Sequence, residues 1–250
     1  MTALAALLAR AARTVERSLG PAPDEVAAPP ALRTSDTLAG RLDHTLLKAD
    51  ATLGAVESLC AEADRLGCAA VCVNTRWVPT AAGLLRASPV MVCTVVGFPL
   101  GAMTRLAKAE EARITVAEGA DEVDMVLDVG GLLSGDLAAV YDDILGVVGA
   151  AHPAPVKVIL ETCLLDDEQK AVACLIALRA GAAYVKTSTG FGGGGATVAD
   201  VALMRRAVGD RMGVKASGAV RTRADAEAML AAGADRIGTS ASATILGGGR

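Results

Sequence analysis

From Leu42 onward the chain alternates between two hydrophobic rhythms. Short apolar runs rich in Val and Ile recur, and most give way to a longer stretch with apolar residues at helical spacing. The runs predict strands at 42–46, 70–73, 90–96, 122–127, 156–160, 183–186, 213–216 and 236–238. The longer stretches predict helices at 53–66, 105–118, 167–179, 198–208 and 224–232. Three units share one turn device, in Glu118-Gly119-Ala120-Asp121, Arg179-Ala180-Gly181-Ala182 and Ala232-Gly233-Ala234-Asp235. Each sets a glycine where a helix ends, a place that calls for left-handed backbone. Alternating strand and helix argues for an α/β protein with a parallel sheet. Eight such runs in 250 residues favour closure into a single (β/α)8 TIM barrel. An open doubly wound sheet is the alternative, and no G-x-G-x-x-G follows the first strand to support it.

The first 35 residues stand apart from this pattern. Met1 to Leu8 is apolar, with Arg10 and Arg13 directly after it. A secretory signal would carry its positive charge before the apolar stretch. An organellar transit peptide is a second reading, but Glu16 and Asp24-Glu25 break the acid-poor pattern it requires. A short surface helix fits better, followed by a Pro- and Ala-rich linker from Gly20 to Ala31. The expected organisation is therefore an N-terminal extension over 1–35 and a catalytic barrel over 36–250.

Composition narrows the partners. Hydrophobic residues reach 52% but aromatics only 2%, so the core must be built from Ala, Val, Leu and Ile. The net charge of −4 is spread over 24 basic and 28 acidic side chains, without a basic stripe, and nucleic acid is not an expected partner. No apolar run is long enough to span a membrane. The six cysteines form no C-x-x-C pair and there are two histidines, so no metal site is expected. Thiols within apolar runs, as in Val71-Cys72-Val73 and Val92-Cys93-Thr94, point to a reducing compartment, most simply the cytoplasm.

In such barrels chemistry sits at the C-terminal ends of strands. Strand six ends Val185-Lys186-Thr187-Ser188 and strand seven carries Val214-Lys215-Ala216-Ser217. Adjacent strands would set the two amines close together, each disfavouring charge on the other and freeing a nucleophilic amine. The plainer reading is a lysine that reaches the rim or pairs with a carboxylate. Asp124 lies between apolar neighbours in strand four, as a salt-bridge partner or as part of a proton relay. The small-residue loops after strands seven and eight hold Gly218, Ala219, Thr239 and Ser240, and they suit an anion bound by backbone amides. The glycine-rich loop after strand six, with Gly190, could close over the same group.

These residues resemble the deoxyribose-phosphate aldolase family. The likeness runs from about Leu42 to Ala241. It begins with Leu42-Asp43-His44-Thr45-Leu46-Leu47-Lys48, Val71-Cys72-Val73-Asn74 and Val96-Gly97-Phe98-Pro99-Leu100-Gly101. Glu122-Val123-Asp124-Met125-Val126 and Glu161-Thr162-Cys163-Leu164 follow. Val185-Lys186-Thr187-Ser188-Thr189-Gly190 and Gly213-Val214-Lys215-Ala216-Ser217-Gly218 complete it. The resemblance implies that Lys186 forms the Schiff base, that Lys215 and Asp124 transfer protons, and that Gly190, Gly218 and Ser240 hold the substrate phosphate. Asp43, Cys72 and Thr187, in the matching segments, are expected in the pocket.

The reaction implied is reversible cleavage of 2-deoxy-D-ribose 5-phosphate into D-glyceraldehyde 3-phosphate and acetaldehyde, with no metal or organic cofactor. Its partners would be a phosphosugar and small aldehydes, and a homodimer or larger oligomer stays open. Phe191 stands where some members carry a lysine, while Ala219 and Ala241 replace a glycine and a serine. These departures shift the expected phosphate site from charge towards backbone amides. Two other functions fit less well: a different Schiff-base aldolase or transaldolase on the same fold, and a silent phosphate-binding barrel.

Overall fold

The computed structural model describes residues 2–21 and 35–247. Helix α1 (Ala3–Leu19) precedes the strands, and most of the linker lies outside the described residues. The first half runs β1 (Leu42–Leu46), α2 (Leu53–Leu66), β2 (Ala70–Val73), α3 (Val78–Leu84), β3 (Met91–Val96), α4 (Arg105–Ala117) and β4 (Glu122–Val126). Helices α5 (Val129–Leu133) and α6 (Leu137–Ala151) lead to β5 (Val156–Ile159), α7 (Asp167–Arg179) and β6 (Tyr184–Lys186). The chain closes with α8 (Val198–Val208), β7 (Gly213–Ser217), α9 (Arg223–Ala231), β8 (Arg236–Thr239) and α10 (Ser242–Ile245).

The strands pair in parallel in chain order, and β8 returns to β1, so the sheet is a closed (β/α)8 barrel. Every expected strand and helix is present within one residue of its predicted bounds. The sequence starts its helices in one way. Thr52, Thr104, Asp166, Thr197 and Thr222 each accept a hydrogen bond from the amide three residues on, supplying a partner the first turn lacks. The shared turns end them. Gly119, Gly181 and Gly233 take φ of +110°, +83° and +110°. In two of these turns the following Asp121 and Asp235 also accept the amides of Val92 and Val214, at 2.8 Å, which ties each turn to the neighbouring strand.

Four helices were not in the expected set: α3, α5, α6 and α10. The longest, α6, buries Leu137, Val140, Ile144, Val147 and Ala151 at alternating steps of three and four. The N-terminal helix is more than a surface appendage. Ala11 and Val15 are buried in the main core, and α1 lies against α7. Arg179 of α7 donates to the carbonyls of Leu19, Gly20 and Pro21 at 2.7–2.9 Å, satisfying the helix end.

Two cores result. The larger lies between strands and helices. The smaller fills one side of the barrel lumen with Leu47, Ala70, Cys72, Cys93 and Val95. The other side of the lumen is charged.

Candidate active site

Alternation along the strands sends every second side chain into the lumen. Asp124 of β4 is completely buried there and meets three lysines. Its Oδ2 is 2.7 Å from Lys186 Nζ of β6 and 2.7 Å from Lys215 Nζ of β7, and its Oδ1 is 2.9 Å from Lys157 Nζ of β5. Lys186 and Lys215 are register partners on adjacent strands, so the two lysines come together as the sequence predicts, with a carboxylate oxygen between them. Gly238 of β8 makes room for this: a Cβ there would stand 3.1 Å from Lys215 Cε and 3.0 Å from Ser217 Cβ.

Deeper in the lumen, Lys157 also binds Glu122 at 2.7 Å. Lys215 pairs with Asp43, and Arg236 bridges Asp43 and Glu122. Burial works to raise the Asp43 pKa, but Arg236 and Lys215 overcome it and hold the carboxyl at about 2. Burial likewise opposes the Asp124 carboxylate, and Lys157, Lys186 and Lys215 together hold it well below the usual carboxylate range. Lys215 is disfavoured as an ammonium by burial, yet Asp124 and Asp43 push its pKa above that of an ordinary lysine. Lys157 is raised well above the usual value against the same burial, mainly by Asp124. Four cationic side chains thus face three carboxylates, and the network is electrically balanced when one amine is neutral.

Above this network opens a cavity of about 390 Å³, whose floor carries Lys186. Gly190, Gly218, Ala219, Thr239 and Ser240 line its wall, so the structure brings together all five residues expected at the phosphate. Ala219 takes φ +64°, a conformation that favours glycine. The Thr239 hydroxyl is committed within the protein: it donates to the Val220 carbonyl at 2.7 Å and accepts the Ala241 amide at 3.0 Å. Asp43, Cys72 and Thr187 are a different matter, because none of them reaches the cavity wall. Asp43 lies beneath it in the ion network, and Cys72 is sealed in the apolar half of the lumen. Thr187 Oγ1 is used up between strands, donating to the Ser217 carbonyl and accepting the Ser217 amide.

Residues 37–244 match the family described as DeoC/LacD family aldolase. The chain belongs to that family. It is 59% identical over 180 residues to a deoxyribose-phosphate aldolase of Brevibacillus brevis, covering 72% of this chain and 81% of the relative. A Geobacillus deoxyribose-phosphate aldolase is 56% identical over 187 residues, covering 74% and 84%. Among solved structures, a deoxyribose phosphate aldolase from Aeropyrum pernix superposes with a TM-score of 0.79 at 35% identity, covering 99% of this chain and 97% of that one.

Within this aldolase several site residues received no role from the sequence. Lys157 binds Asp124 at 2.9 Å beside the two expected lysines, and Glu122 and Arg236 complete the network. Their signal was present, since each is a charge set in or at the edge of an apolar strand, as Asp124 is. Lys48 and Arg221 line the cavity and put cationic side chains at a mouth where Phe191 had suggested a lack of charge. The fold also gathers two trios with metal-ligand atoms, Cys72 with Cys93 and Asp124, and Asp43 with Cys93 and Glu122. Linear spacing could not reveal them, and their carboxylates are already paired with lysine or arginine.

Proposed function

We propose that this aldolase reversibly cleaves 2-deoxy-D-ribose 5-phosphate to D-glyceraldehyde 3-phosphate and acetaldehyde through a Schiff base on Lys186. One observation carries the reading. Of the three lysines that meet Asp124, Lys186 alone lines the cavity, and it shares Asp124 Oδ2 with Lys215. Lys157 and Lys215 are each held by two carboxylates and Lys186 by one, so Lys186 is the amine least committed to ion pairs and best placed to act as nucleophile.

The neutral Lys186 amine adds to C1 of the open-chain sugar, and loss of water leaves an iminium ion. A base linked through water removes the C3 hydroxyl proton. The C2–C3 bond breaks towards the iminium, so glyceraldehyde 3-phosphate departs and an enamine remains. A proton returns to C2, water hydrolyses the new iminium, and acetaldehyde leaves with Lys186 restored. Asp124 and Lys215 are the groups we assign to these proton transfers. The loops bearing Gly190, Gly218, Ala219 and Ser240 suit the phosphate, with Lys48 and Arg221 supplying charge.

No step needs a metal or organic cofactor, and dialysis against EDTA should leave activity intact. Loss of activity restored by a divalent ion would overturn this scheme. The six cysteines are unpaired, which supports a reducing compartment such as the cytoplasm. Among the described residues no helix is long and apolar enough to cross a membrane. A homodimer or larger assembly belongs to the same proposal; the Aeropyrum pernix relative is described as tetrameric. A coupled assay for released triose phosphate tests the activity. Deoxyribose 5-phosphate should be cleaved faster than fructose phosphates, and the reverse preference would point to another Schiff-base aldolase.

A further inference from the structure

Glu161 stands just beyond the end of β5 and combines three features. It is buried, at 4% exposed. Its backbone is left-handed, with φ +53° and ψ +63°, a region that disfavours any residue with a side chain. Its carboxylate partners are also neutral. The Thr189 hydroxyl donates to Oε2 in a short hydrogen bond, and the Thr189 amide donates to the same oxygen at 3.3 Å. A buried carboxylate in costly backbone geometry has to be held there by what it does for its surroundings.

What it holds is the loop between β6 and α8. Thr189 lines the cavity, and its Oγ1 accepts the Phe191 amide at 3.0 Å, so the contact made by Glu161 passes on to Phe191. Phe191 lines the cavity too and packs edge-on against Phe98 with ring centroids 5.3 Å apart. The protein contains only two phenylalanines, and both meet at this mouth. The glycines that follow let the loop lie directly on Glu161 and its neighbour Cys163. A Cβ on Gly192 would fall 2.7 Å from Glu161 Cδ, and one on Gly194 would fall 2.5 Å from Cys163 Cβ. The Cys163 thiol donates to the Gly192 carbonyl at 3.4 Å. The glycine run therefore reads as a surface shaped to seat on this ledge.

We propose that Glu161 is a positioning residue that fixes the β6–α8 loop as the wall of the substrate cavity, acting through Thr189 on Phe191. It is not placed to touch the reacting atoms, because it does not line the cavity. The inference rests on the Lys186 Schiff-base reading, and its test separates the two. Glu161→Gly removes the clamp and also relieves the left-handed backbone, so the fold is spared. KM for deoxyribose 5-phosphate should rise about fivefold to tenfold, the worth of one net hydrogen bond. The kcat should fall by less than about threefold, since uniform binding is what is lost. Borohydride trapping of acetaldehyde on Lys186 should keep its wild-type rate, because acetaldehyde does not extend to this wall.

Glu161→Gln offers the same oxygen to Thr189 and should restore KM. A Glu161→Gly, Thr189→Val double variant should be no worse than the poorer single, as expected for one shared contact. An unchanged KM in Glu161→Gly overturns the proposal. Slowed acetaldehyde trapping, or a failure of Glu161→Gln to rescue, would instead make the carboxylate act on the chemistry itself and also overturns it. If the wild-type enzyme gives no adduct on Lys186, the Schiff-base reading falls and takes this inference with it.

Discussion

Lys186, Lys215 and Asp124 divide the work by what each touches. Lys215→Leu removes one cation, leaving three against three carboxylates, and Asp124 Oδ2 then serves Lys186 alone. Lys186 is then held more firmly in its ion pair, so trapping with acetaldehyde and borohydride should be slower than in the wild type. Turnover should stay depressed by about 10²–10⁴-fold, the range for losing a proton-transfer group. Trapping as fast as wild type across the pH range would remove Lys215 from this role. Asp124→Asn should lower turnover by a similar factor while Lys186 can still be trapped, and mass mapping after reduction checks both. At this scale Asp124 could be read from the sequence because a charge amid Val and Met demands a partner. Lys157 sends the same signal from Val156-Lys157-Val158, but no motif drew attention to it, and only the closed lumen shows which carboxylates it meets.

At the scale of elements the strands and five of the barrel helices follow from periodicity and threonine or aspartate caps. Helix α6 follows the same rule of three and four, but its two glycines and nearly continuous apolar stretch mask the polar face that makes such spacing conspicuous. The docking of α1 is of another kind. It depends on Arg179 reaching carbonyls about 160 positions away in the chain, which no local pattern encodes. Arg179→Ala should lower stability by about 1–3 kcal/mol, as for hydrogen bonds lost from a charged group, with kcat unchanged. Thermal or urea unfolding measures the first and the coupled assay the second. A variant as stable as wild type would show that α1 needs no such anchor.

For the molecule as a whole, the ion network should govern tolerance of acid. Asp43, Glu122 and Asp124 all have pKa values lowered by the cations around them, against the burial that raises them. The unfolded chain therefore binds more protons than the folded one at low pH, and stability must rise with pH in that range. The Asp43 contribution is complete above its ordinary value of 3.8 and is lost as pH falls through about 2. Asp143, raised by burial, works in the opposite sense, one carboxyl against three. The melting temperature should fall steeply below about pH 4, and Asp43→Asn should flatten that fall. The barrel was legible from its eight strands, whereas of the network only Lys186, Lys215 and Asp124 were, because closure decides which of six strands face one another across the lumen. The central claim is that Lys186 is the nucleophile within that network. Reduction with borohydride in the presence of acetaldehyde, followed by peptide mass mapping, tests it most directly. A stable ethyl group on Lys186, absent from Lys186→Ala, is the predicted result; an adduct on Lys215 or Lys157, or none at all, would contradict it.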